Sequence, residues 1–238
     1  MFEQMFEHCG VTLPAFADIA DPQKRVDPAG VRELQERVRR MQGRPAAQPL
    51  ATHPAFSPLL QLQTGASYGV DSASLAMALM AGPSSDGAWC GVVGSAEFGI
   101  EAAAAAGVDL SRTILVPDPG DQWIEVTAAL IDVLTVVVVK PPSRVAQGAV
   151  ARLSARLRER SAMLIAWGEW PRCDARLSLS ESEWIGMGKG HGHLVARQAT
   201  VSVTRGTAPA RRQRMWLPDA GWRIRVAEAA PTAIRQVS

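Results

Sequence analysis

A chain of 238 residues, 47% hydrophobic and 20% charged, is long enough to bury one sizeable core without covalent staples. Its formal net charge of +2 excludes a polyelectrolyte, and three widely spaced cysteines, Cys9, Cys90 and Cys173, argue against a disulfide framework and for a reducing cytoplasm. The opening MFEQMFEHCG lacks the basic-then-apolar pattern of a signal peptide, and no apolar run approaches the ~20 residues of a membrane helix, so a cytoplasmic protein without membrane contact is expected.

Residues 1–27, with Pro14 and Pro22, read as an arm. Asp27 and Pro28 then open a helix over 28–42. Val31, Leu34, Val38 and Met41 form its apolar stripe, and Gly43 ends it. Pro45, Pro49, Pro54 and Pro58 make 44–58 a linker. A core is expected over 59–206. It opens with a short strand at 59–63 and a loop at 65–70. Asp71 is the expected cap of an apolar, buried helix over 72–81. A strand at 88–93 and an alanine-rich helix at 96–106 follow, closed by Gly107. Next come a strand at 113–116 and a helix opened by Asp118 and Pro119, with Trp123, Val126, Leu130 and Leu134 on one face. Residues 135–139 are a continuous β-branched run, the mark of a central parallel strand. Ser143 is the expected cap of a helix over 144–160, before a strand at 162–167. Such alternation predicts right-handed crossovers and a parallel sheet. Strands at 175–179, 183–185 and 193–203 follow with no helix between them. The expected class is α/β: a mixed, mainly parallel sheet flanked by helices, with a C-terminal antiparallel extension. From Ala196 onward eight arginines face only Asp219 and Glu228, so 207–238 reads as a basic tail able to form a hairpin through 215–225.

The loop after the first expected strand reads Gly65-Ala66-Ser67-Tyr68-Gly69-Val70-Asp71-Ser72-Ala73-Ser74-Leu75. It resembles the loop of RecA that ends Gly-Lys-Thr-Thr-Leu. With Leu75 as the matching leucine, Ser72 stands where a phosphate-binding lysine belongs and Ala73 where a magnesium-binding hydroxyl belongs. No lysine lies between Lys24 and Lys140 to take over. Gly107-Val108-Asp109, the strand at 113–116 and Pro117-Asp118-Pro119-Gly120 also resemble RecA segments, in order. The strand at 136–139 then ends in Lys140, where an acidic Walker B residue belongs. Glu97 lies about two positions from the place of RecA's water-activating glutamate. The resemblance covers 59–206. It implies a degenerate nucleotide site at Gly69, Asp71, Ser72, Ala73 and Lys140, with no catalysis, cofactor or metal.

A sharper likeness is to the actinobacterial branch of the ImuA family, called ImuA-prime. It rests on Ser72-Ala73-Ser74-Leu75-Ala76-Met77-Ala78-Leu79, Gly87-Ala88-Trp89-Cys90-Gly91-Val92-Val93-Gly94, Val116-Pro117-Asp118-Pro119-Gly120 and Gly188-Lys189-Gly190-His191-Gly192-His193-Leu194. The resemblance implies a role in SOS-induced translesion DNA synthesis and damage-induced mutagenesis. It also implies binding to an ImuB-like inactive relative of Y-family polymerases, and through it to a DnaE-type error-prone polymerase and the sliding clamp. The alternatives are a single-stranded DNA-binding accessory factor and, less favoured, a weak NTPase.

Surface candidates are fewer. His191 and His193 lack further ligands at metal-site spacing, so a glycine-rich turn is the better reading. Lys189, His191 and His193 then form a candidate partner or DNA surface. Arg152, Arg156 and Arg160 recur along one helix face, as a solvated stripe or as phosphate contacts. Arg211, Arg212 and Arg214 with Trp216 and Trp222 suit single-stranded nucleic acid and a protein interface equally. Trp89, Trp123, Trp167 and Trp170 read as packing residues.

Overall fold

The computed structural model describes residues 46–142, 144–187 and 192–228. The arm, the helix expected over 28–42, Ser143, Lys189 and His191 lie outside the described residues. Five short strands alternate with helices: β1 (Ser67–Val70), β2 (Cys90–Val93), β3 (Thr113–Val116), β4 (Val136–Val139) and β5 (Met163–Trp167). The helices are α1 (Ala73–Ser85), α2 (Ile100–Ala105), α3 (Trp123–Val133) and α4 (Gln147–Arg160). Four further strands follow: β6 (Ala175–Met187), β7 (Gly192–Thr204), β8 (Arg211–Trp216) and β9 (Arg225–Val226). All nine lie in one sheet, in the order β3-β2-β4-β5-β1-β6-β7-β8-β9. The pairings from β3 to β6 are parallel and those from β6 to β9 antiparallel, giving the mixed α/β architecture expected.

Two cores explain the layers. Side chains alternate across a strand, so the four valines of β4 serve both faces, all fully buried. Val136 and Val138 join Leu75, Leu79 and Met80 of α1 and Ala103 of α2. Val137 and Val139 join Ile131 of α3 and Leu153 and Leu157 of α4. The two helices of the second layer are clamped by Asp132, which accepts two hydrogen bonds from Arg156 (2.5 Å each) and one from Arg160 (3.2 Å). The Arg156 guanidinium holds this carboxyl below the usual range. Two arginines of the expected basic stripe are therefore committed to helix packing.

Several expectations need correction. Residues 59–63 form no strand: Leu59, Leu60 and Leu62 are buried in the turns leading to β1, and Gln63 makes only an isolated bridge to Pro49. The expected loop at 65–70 contains β1 itself. The described part of the linker is packed, with Phe56 fully buried. It approaches α1 so closely that a Cβ on Gly82 would stand 2.6 Å from the Ala51 carbonyl oxygen and the His53 nitrogen. The helix expected over 72–81 reaches Ser85 and is capped by Ser72, not Asp71. The helix expected from 144 starts at Gln147 with Ala146 at its cap. Strands expected at 175–179 and 183–185 are one, β6, with a register shift between Ser180 and Glu183, where Glu181 has φ +49°. The basic tail is in good part sheet: β8 pairs with β7 and β9 with β8, and Met215 is fully buried.

Candidate functional site

Ligands of doubly wound sheets bind beyond the C-terminal strand ends, so those ends are the place to look. After β1 the connection to α1 is only Asp71 and Ser72. Both side chains are occupied. The Ser72 hydroxyl accepts from the Leu75 N–H (3.4 Å), and the Asp71 carboxylate accepts from the Leu179 N–H of β6 (2.9 Å). A phosphate cradle needs several consecutive backbone N–H groups turned toward the anion. Two residues between strand and helix do not supply them, and a carboxylate at the helix start repels phosphate. Ala73 opens α1 without a hydroxyl.

Gly69 is inside β1, not in a loop. A Cβ there would stand 3.1 Å from the Arg176 guanidinium carbon. That guanidinium lies over β1 and donates to the carbonyls of Gly168 (3.3 Å) and Trp170 (2.9 Å). The glycine makes room for an arginine that ties down the β5–β6 connection.

Lys140 directly follows β4, and its N–H donates to the Val93 carbonyl (2.9 Å). Its ammonium pairs with Glu97, which follows β2, and sits 4.5 Å from the centre of the Trp167 ring at the end of β5. Hydrogen bonding to this ammonium holds the Glu97 carboxyl below the usual range. The fold thus brings Glu97 and Lys140 together, with β5 standing between them and the Asp71–Ser72 turn. Among the described residues no three His, Cys, Asp or Glu are grouped to hold a metal ion.

The surface candidates divide. His193 is exposed on β7. On β8, Arg212, Arg214 and Trp216 share the face opposite buried Met215. Arg214 bonds Gln198 and Glu183 (3.0 Å each), and the Arg225 guanidinium lies 5.4 Å from the Trp216 ring centre. Arg211 points to the other face, toward the Pro58 carbonyl (3.5 Å). Trp222 joins neither set: it lines a small apolar pocket of about 180 Å³ with Met77, Trp184, Leu217 and Ile224. Beside that pocket Arg197 donates to the Leu217 carbonyl (2.9 Å) and lies 5.2 Å from the Trp184 ring centre. Sequence reasoning missed Arg176 and Arg197. Arg176 bonds carbonyls of the irregular β5–β6 connection just before it and Arg197 bonds the distant Leu217 carbonyl, and no regular spacing announces either. The place of Trp167 at a strand end, level with Lys140, was a usable signal.

The class so defined is a mixed α/β domain whose parallel strands end in a short capped turn and an exposed ion pair between Lys140 and Glu97. Residues 55–172 match the MT3502 N-terminal domain family. The chain is also 36% identical, over 107 residues, to the uncharacterized protein Rv3395c of Mycobacterium tuberculosis; the match covers 44% of this chain and 52% of the relative. The chain thus spans about half the length of the curated relative it matches. No helix among the described residues is long and apolar enough to cross a membrane.

Proposed function

We propose that this chain is a non-catalytic, RecA-like accessory protein of SOS-induced translesion synthesis that works by binding an ImuB-like partner. The Lys140–Glu97 pair carries the non-catalytic half of this reading. An ammonium at the end of β4 repels a magnesium ion, and a glutamate bound to it is a poor base for activating water. The two-residue β1–α1 turn supports the same conclusion independently. The partner half rests on the ImuA-prime resemblance, and the match to a mycobacterial protein is consistent with an actinobacterial branch. Through the partner the protein would reach a DnaE-type polymerase and the sliding clamp, in the cytoplasm. The test is a pull-down of the ImuB-like protein by the full chain, followed by nucleotide titration of the pure chain. Co-purification without ATP turnover supports the reading, and turnover that Glu97→Gln abolishes overturns it.

A second reading is favoured by one observation. Arg212, Arg214 and Trp216 share one face of β8, with Thr200 and Ser202 paired beside them on β7. That combination suits single-stranded DNA, where bases stack and arginines meet phosphates. Affinity that falls steeply with salt, and falls further on neutralising Arg212, would support it.

A further inference from the structure

Among the described residues β3 pairs with β2 alone, so its other side is a free edge of the sheet. The Val116 carbonyl accepts from the Gly94 N–H (2.9 Å), and successive residues of a strand turn their backbone groups to opposite sides. Ile114 and Val116 therefore bond toward β2, and Leu115 points its N–H and carbonyl outward. Edges of this kind are commonly blunted by charged side chains or covered by a helix or loop. This one carries apolar side chains: Ile114 is 37% exposed and Leu115 43%. Leu115 lies on the α1 face, beside Val92, and Ile114 on the α3 face, beside Gly91. Trp89 before β2, Leu110 before β3 and Val133 at the end of α3 are exposed as well. Five of the eleven large apolar side chains exposed among the described residues thus gather at this end of the sheet, which marks an interface rather than a scatter.

What fits the edge is written along it. The run Arg112-Thr113-Ile114-Leu115-Val116-Pro117-Asp118 is basic at one end, acidic at the other and apolar between, so it complements its own reverse about Leu115. We infer that β3 pairs antiparallel with β3 of a second copy of this chain, with Leu115 on the two-fold axis. Each Leu115 N–H then donates to the carbonyl of the other Leu115, which uses the outward groups of both. Ile114 faces the second copy's Val116 on the α3 side, and each Arg112 meets the other copy's Asp118. Both charges are available. Asp118 forms no ion pair among the described residues, and Arg112 has only a 3.8 Å pair to Asp109 besides its bond to the Gly87 carbonyl (2.7 Å). The Thr113 N–H is spent on the Leu110 carbonyl and Pro117 has none, so the ladder stops at one reciprocal pair and the dimer is reversible. This edge is separate from the Asp71–Ser72 turn, and its pairing needs neither another protein nor DNA.

The test is sedimentation equilibrium of the pure full chain at rising concentration, up to the millimolar range. A reversible monomer–dimer equilibrium is expected. Leu115→Lys puts a charge on the axis of the pair and should leave a monomer. Asp118→Arg and Arg112→Glu should each weaken the dimer about tenfold, because the two-fold axis repeats every contact twice. The double variant, with the charge pair reversed, should return close to the wild type. All three residues are exposed, and thermal melts check that each variant is folded. If Arg112→Glu loses stability with its bond to Gly87, Leu115→Lys and Asp118→Arg still decide the matter. A monomer at every concentration overturns the inference and leaves the edge to some other occupant. A dimer that Leu115→Lys and Asp118→Arg leave intact overturns it too, since the contact then lies elsewhere on the surface.

Discussion

The ammonium of Lys140 is held between the carboxylate of Glu97 and the face of Trp167, so residues from the ends of three neighbouring strands meet over one charge pair. In a working nucleotide site an acid at the end of β4 would face a metal ion. Here that place is filled by a cation which neutralises the nearest glutamate. Restoring an acid should therefore not restore a site. Lys140→Asp puts two carboxylates against each other, raises the Glu97 pKa and lowers the melting temperature near neutral pH. ATP turnover stays at the blank. Thermal melts with a phosphate-release assay check both outcomes.

Gly82→Ala separates helix propensity from packing. In an exposed helix the change would stabilise by about 1 kcal/mol. Here the new methyl would stand 2.6 Å from backbone atoms of Ala51 and His53, which cannot swing aside as a side-chain tip would. Overpacking of about 1–3 kcal/mol should win, and the variant should be less stable in urea. A stabilised variant would show that the 51–53 segment does not sit on α1.

His53 gives a pH signature. Its Nδ1 accepts from the Ala55 N–H (3.2 Å), which requires the neutral ring, and burial lowers its pKa from the usual 6.5. The unfolded chain then takes up the proton more readily than the folded one. Stability from this site is complete above pH 6.5 and is lost as pH falls through the lower folded value. The lowered carboxyls of Glu97, Asp109, Asp132 and Asp219 act only at more acid pH. Denaturation midpoints should fall just below pH 6.5 in the wild type, with a flatter profile in His53→Asn.

Cys90 should behave as a core residue. It is fully buried, and burial pushes its thiol up to about 11. In a chain with Cys9 and Cys173 changed to serine, alkylation of Cys90 should track global unfolding as denaturant is raised. Rapid labelling of the native protein would contradict the packing of β2 against α1.

How much of this was legible depends on which residues carry the signal. The valine run of β4 announces a central strand, because only a strand covered on both faces is uniformly β-branched. Lys140 follows it directly, so the charge reversal was readable too. β1 was not, since Ser67, Tyr68 and Gly69 lack an apolar run, while Leu59, Leu60 and Leu62 imitate one from buried turns. Among the arginines of β8, Met215 is the one fully buried residue, so a strand with one face in solvent looked like a basic tail. The link between Gly69 and Arg176 spans a parallel crossover, and no local pattern encodes it.

Calorimetric titration of the full chain with magnesium–ATP, paired with a turnover assay, tests most directly the proposed loss of nucleotide chemistry from this sheet. No saturable heat and no phosphate release above the blank are expected. Saturable binding with turnover that disappears in Glu97→Gln would contradict it.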